Sequence, residues 1–206
     1  MAIASDIMSL LDWKRRVFAL YDDVRSAPSP EEGWWLWRDR RDMLFGEHPQ
    51  SPLPADGRDA FSGLRYFEYD PRLRVLAEVE PAPPAEVAIG ASAGRPVSFE
   101  RVGRARFALA GKDQTLDLFW LDAYGGGLFV PLADATSGDE TYGAGRYLLD
   151  TVKGADLGTS DGRLVLDLNF AYNPSCAYDP RWACPLAPPG NRLPVPVRGG
   201  ELVYRG

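Results

Sequence analysis

The chain is 206 residues long, 45% hydrophobic and 25% charged, with a formal net charge of −6. Such a length suits one globular domain, or one with an extension, and the apolar share fills a core without disulfide staples. The acidic balance argues against nucleic-acid binding, which needs concentrated positive charge against phosphates.

Lysine is confined to Lys14, Lys112 and Lys153, so most positive charge sits on arginine forks suited to carboxylate or phosphate oxygens. Base composition of the coding DNA produces the same bias. At the N-terminus the basic cluster Lys14-Arg15-Arg16 follows the apolar residues, the wrong order for a secretory signal. No apolar run reaches the roughly 18 residues that cross a bilayer. The expectation is a cytoplasmic protein with no membrane partner, in which Cys176 and Cys184 are free thiols.

Residues 6–25 carry Ile7, Leu10, Leu11, Lys14, Phe18, Tyr21 and Val24 near one 3.6-residue stripe and are predicted as an amphipathic helix. Ala27-Pro28-Ser29-Pro30 breaks it. Ser29 as N-cap, Pro30 at the first helical position and Glu32 two further on read as a capping box that opens a second helix over 30–45. That helix places Trp34, Trp37, Arg41 and Leu44 on one side, either packed on a sheet or forming a lid over a ligand. Gly46 and the segment from His48 to Leu53 end it.

Beyond about residue 60 the period becomes extended. Strands are predicted at 64–69, 73–80, 86–90, 97–102, 104–110, 114–122, 127–132, 146–152 and 163–170, divided by Asp70-Pro71, Pro81 to Pro84, Gly103 and Gly111. No long helix stands between them to carry a parallel crossover, so they suit an antiparallel meander. The fold class expected is mainly β with N-terminal helices: a barrel-like or sandwich-like antiparallel domain over 56–206, packed against a two-helix arm over 1–55.

Long motifs in this order carry a resemblance. They are Phe45-Gly46-Glu47-His48-Pro49-Gln50-Ser51-Pro52-Leu53, the run from Tyr66 to Pro71, the run from Asp134 to Leu148, and the block from Asn169 to Val195. Across residues 30–203 the chain resembles DUF1684, a family of uncharacterised bacterial and archaeal proteins. The resemblance implies no reaction, cofactor or site role.

On chemical grounds the run from Asp134 to Tyr147 is the leading candidate site. Asp134, Thr136, Ser137, Asp139, Glu140, Thr141, Tyr142, Arg146 and Tyr147 lie between two predicted strands, where they either converge on a ligand or satisfy a structural turn. Arg146 with Tyr147 suits a carboxylate or phosphate, whereas Arg146 paired to Glu140 is an internal salt bridge. His48 is the only histidine, which excludes a two-histidine metal motif, leaves little room for a standard catalytic zinc site and predicts no metal. As a base it needs an oriented carboxylate, such as Asp134 or Glu140, and a nucleophile nearby. Cys176 and Cys184 fit neither Cys-x-x-Cys redox spacing nor a four-ligand zinc pattern, and read as packed thiols, a redox pair or half a metal site. No nucleotide-binding loop, nucleophile elbow or zinc-protease helix is present, and the cofactor is unknown.

The expected function is binding of a small anionic or planar metabolite in a pocket shared by the 134–147 and 169–192 loops. Arg146 and Arg192 hold the anion there, while Tyr147, Asn169, Tyr172, Asn173 and Tyr178 shape the cavity. Glu140 or His48 is the proton carrier if the pocket is enzymatic, hydrolase-like or flavin-dependent. The competing expectation is a structural or protein-interaction domain, a homodimer through its helices and tryptophans. An open cavity around Arg146, Glu140 and Asn173 favours the first, and a closed network of the same residues the second.

Overall fold

The computed structural model describes residues 2–121 and 124–205. Among these residues two helices, α1 (Ala2–Arg25) and α2 (Pro30–Glu47), precede seven strands: β1 (Arg74–Ile89), β2 (Val97–Leu109), β3 (Lys112–Trp120), β4 (Leu128–Leu132), β5 (Arg146–Asp150), β6 (Thr159–Ser160) and β7 (Arg163–Asp167). The pairings between these strands are antiparallel, in the order β5-β4-β3-β2-β1-β7-β6. The molecule is therefore mainly β with N-terminal helices, and its sheet is open rather than a closed barrel. One isolated bridge links β5 to the chain just beyond β7, where Tyr147 and Tyr172 exchange backbone hydrogen bonds at 2.8 and 2.9 Å.

Three features depart from the expected strands. The stretches 73–80 and 86–90 are one strand, β1, which runs through Pro81, Pro83 and Pro84 with a register shift between Pro81 and Ala85. Only Arg74 to Ala77 pair with β7, so the prolines lie where that side of β1 is an edge with no ladder donors to lose. Gly103 is likewise inside β2, at a bulge rather than a turn, because a Cβ there would meet the Glu80 carbonyl at 3.0 Å. The predicted strand at 64–69 makes only a bridge from Tyr66 to Glu201. The last residue of the strand predicted at 114–122, Asp122, lies outside the described residues.

Ser29 caps α2 as its sequence predicts. Its Oγ accepts from the Glu32 amide at 3.2 Å and donates to the Glu32 carboxylate at 2.9 Å, so the reciprocal contact goes through the hydroxyl. Ser29→Ala is expected to cost about 1 kcal/mol, seen as a lower urea midpoint with an unchanged slope.

The main core joins both halves of the sheet to Leu193 and Val197 of the C-terminal segment. A second core seats the helices: Leu20, Tyr21, Val24, Trp34 and Trp37 pack with Phe170 and Ala155. Both buried indoles donate, Trp34 to the Asn169 carbonyl at 3.0 Å and Trp37 to the Tyr21 hydroxyl at 3.1 Å. These two tryptophans pack the arm on the domain and form no lid, whereas Trp35 is exposed. The stripe predicted along α1 is buried only near its end, since Ile7, Leu10, Leu11 and Phe18 are exposed.

Candidate functional site

The Asp134 to Tyr147 run folds as a turn that satisfies itself. Asp134 Oδ1 accepts from the Thr136 amide at 2.8 Å and the Thr136 hydroxyl at 2.7 Å, and the Thr136 and Thr141 hydroxyls lie 2.9 Å apart. Gly145, with φ of +96°, permits a backbone approach in which a Cβ would come within 2.7 Å of the Leu132 carbonyl.

Arg146 is fully buried at the base of this turn. Its Nη2 donates to Asp134 Oδ2 at 2.9 Å and the Val197 carbonyl at 3.0 Å, and Nη1 to the carbonyls of Gly199 at 2.5 Å and Glu201 at 3.2 Å. The guanidinium thus ties the turn to the C-terminal segment and has its fork filled by protein oxygens, with Nε left without a partner. The partner expected for it, Glu140, instead holds Arg198 through contacts of 2.9–3.0 Å at the surface.

Most of the other residues expected to line a pocket are also engaged with the protein. Asn169 donates to the Asp70 carbonyl and Asp167 Oδ1, both at 2.8 Å, and accepts from the Asp70 amide at 3.0 Å. The Tyr147 hydroxyl donates to the Pro185 carbonyl at 2.5 Å, and Tyr172 lies under the Arg41 guanidinium. Arg192 is exposed, with only its backbone bridged to Ala133.

Glu201, which sequence reasoning passed over, organises a second buried cluster. Its carboxylate accepts from Arg41 Nη2 at 3.1 Å, the Asn173 amide at 2.8 Å and the Tyr178 hydroxyl. Trp37, Phe45 and Tyr172 surround Arg41 at 4.9–5.1 Å. Burial pushes the Glu201 carboxyl up, against the pull of Arg41. Asn173 Oδ1, Tyr66 Oη and Arg41 Nε are buried without partners. The two loops do meet, but around paired side chains rather than an open cavity, because most of their polar groups find a main-chain or charged partner first.

His48 follows α2 and faces α1. The Gln50 amide donates to its Nδ1 at 3.1 Å, which places the ring proton on Nε2, 3.1 Å from Asp12 Oδ2. This hydrogen bond is the chief cause holding the Asp12 carboxyl below its usual range, and Arg16, at 2.8 Å, adds to it. Neither ring nitrogen is open to a nucleophile's proton, so the geometry suits positioning rather than base catalysis. His48 and Glu140 engage different partners and form no dyad.

Beside this pair, α1 and α2 enclose a cleft of about 780 Å³. Ala19, Leu20, Met43 and Leu44 supply apolar wall, and Arg16, Arg40, Asp12, Glu47 and Ser9 supply polar groups.

The profile of a protein family of unknown function, DUF1684, matches residues 59–202. The chain belongs to the DUF1684 family. An uncharacterised protein of Haloarcula marismortui, solved by NMR in solution, is 40% identical with a TM-score of 0.59, over 80% of this chain and 89% of that one. No curated protein matches. No helix of the described residues is long and apolar enough to cross a membrane.

Within the DUF1684 segment lie Asp134, Arg146, Asn173 and Glu201, whose side chains hold the fold together, and both cysteines. The α1–α2 cleft belongs to the arm that precedes it.

Proposed function

We propose that this DUF1684 protein binds a small amphipathic anion in the cleft between α1 and α2. One observation carries the reading: a cleft of about 780 Å³ combines an apolar wall with two guanidiniums at its rim. That volume falls within the range of small-ligand sites, about 300–1,000 Å³. Arg16 is paired to Asp12 at 2.8 Å and Arg40 to Asp23 at 2.8 Å, all at exposed positions. Exposed pairs are worth about 0–1 kcal/mol, so either guanidinium can turn to a ligand anion at little cost. Ser9 Oγ, buried without a partner at the cleft wall, adds a polar contact. His48 holds Asp12 in place and takes no part in chemistry.

The anion and the planar body expected from the sequence are retained in this reading, at a different place. Arg146, Asn169, Tyr172, Asn173 and Tyr178 act as scaffold.

The test uses 8-anilinonaphthalene-1-sulfonate, a flat apolar body bearing one sulfonate. The folded protein should give saturable one-site fluorescence enhancement, and replacing Arg16 and Arg40 together by alanine should weaken it about tenfold, ~1.4 kcal/mol. Arg106→Ala, on the exposed side of the interior strand β2 and outside the cleft lining, should leave it unchanged. Non-saturable enhancement, or equal affinity in all three proteins, would sink the proposal.

A further inference from the structure

Two thiols eight positions apart and a phenol from a distant turn come together outside the α1–α2 cleft. Cys176 sits in a single 3-10 turn, Ser175–Ala177. Cys184 lies in a segment paired with the chain just after β1. The Cys184 amide donates to Ser92 Oγ at 3.1 Å, and the Ser92 amide to the Cys184 carbonyl at 2.9 Å. The Cys176 amide in turn donates to the Cys184 sulfur at 3.3 Å, although the cysteines are eight positions apart. Tyr142, carried by the Asp134 to Tyr147 turn, places its hydroxyl 3.7 Å from the Cys176 sulfur.

The two thiols differ in access. Cys184 is buried and Cys176 only partly so, which means that a solvent-borne reagent meets Cys176 first. They also differ in ionisation. Cys176 is held down to about 6, chiefly by the neighbouring Cys184 thiol and, against the effect of burial, by Ser92 and Tyr142. The same proximity to Cys176 pushes Cys184 up. Burial, then Cys176, pushes Tyr142 up to about 12, so near neutrality its hydroxyl keeps the proton that it donates to the thiolate. An accessible low-pKa thiol beside a buried second thiol is the arrangement that thiol–disulfide exchange requires.

We propose that Cys176 and Cys184 are the attacking and resolving thiols of a dithiol site that reduces small-molecule disulfides, with Ser92 and Tyr142 as positioning residues. The Cys176 thiolate attacks one sulfur of RSSR. The bond between the substrate sulfurs breaks, the first RS⁻ leaves with the electron pair, and a mixed disulfide forms on Cys176. Cys184 gives its proton to that departing thiolate and attacks the Cys176 sulfur. The mixed bond breaks, and the second RS⁻ leaves and takes a proton from solvent. The protein is oxidised by two electrons to a Cys176–Cys184 disulfide while the substrate becomes two thiols, and excess small thiol reverses the sequence.

The test mixes the reduced full chain with one equivalent of 5,5′-dithiobis(2-nitrobenzoate), whose leaving thiolate is coloured. Two thiolates should be released per chain, and the intact mass should fall by two hydrogens with no adduct retained. Cys184→Ser should release one thiolate and keep one adduct, while Cys176→Ser should react at least about tenfold more slowly because the remaining thiol is buried. Tyr142→Phe should move the pH midpoint of the reaction upward while leaving the two-thiolate stoichiometry intact. A wild-type chain that retains the adduct, or that takes up two adducts from excess reagent without forming the internal disulfide, would overturn the proposal. That readout needs no variant to fold. Cys176→Ser reacting as fast as wild type would also overturn it.

Discussion

Asp134→Ala is expected to destabilise the fold by about 3–5 kcal/mol, the cost of leaving a buried charge without its partner. Asp134 and Arg146 are both fully buried, 2.9 Å apart. Removing the carboxylate strips Arg146 of its counter-charge and orphans the amides of Thr136 and Val197, which donate to Asp134 Oδ1 at 2.8 and 3.1 Å. Against a total stability of roughly 5–15 kcal/mol, such a loss is visible as a much lower urea midpoint or a chain unfolded at 37 °C. The double variant Asp134→Leu with Arg146→Met should recover only part of it. An apolar pair removes the uncompensated charge, but the carbonyls of Val197, Gly199 and Glu201 lose their donor. Full recovery would show that the ion pair alone mattered. A loss below about 1 kcal/mol in Asp134→Ala would show that Arg146 finds water.

Asp167 makes stability fall as pH rises from about 4 to about 6. Burial pushes this carboxyl up to about 6, against the hydrogen bonds from the Asn169 amide at 3.0 Å and its side chain at 2.8 Å. The unfolded chain releases the same proton near 3.9. Between those values the folded state binds more protons than the unfolded state, so the slope of stability against pH is negative. The Asp167 contribution is fully present below about 4 and lost above about 6, on the order of 2–3 kcal/mol. Asp12 and Asp70, whose carboxyls are held below their usual range by His48 and Arg72 respectively, act oppositely at lower pH. The diagnostic is therefore the difference between wild type and Asp167→Asn. The variant keeps an acceptor for Asn169 and cannot ionise, so it should match wild type near pH 4 and exceed it by about 2 kcal/mol at pH 7. Parallel stability curves in urea from pH 4 to 7 would rule the effect out.

Local signals were legible. The Ser29 cap, the proline that opens α2 and the period-2 burial of β2 each depend on neighbours within a few residues, and the structure follows them. A readable signal was passed over at Asp161-Gly162, whose positive φ values of 51° and 72° form the two-residue turn between β6 and β7. The prolines of β1 read as an interruption because nothing local says that one side of that strand is an edge.

Partnership was not legible. Arg146 and Glu140 look like a pair in the sequence, yet the fold gives Arg146 to Asp134 and Glu140 to Arg198, 58 positions away. Arg41 meets Glu201 across 160 positions, and His48 meets Asp12 across 36. The amino-acid sequence alone determined the helices, most strands, the antiparallel class and the family, because caps, turns and apolar periods act over short range. Only the tertiary structure decided that the sheet stays open, that the polar loops close on themselves, that a cleft lies between the helices, and that two thiols share one environment. Those outcomes depend on which buried polar group reaches which partner, and that competition is resolved only when distant segments pack together.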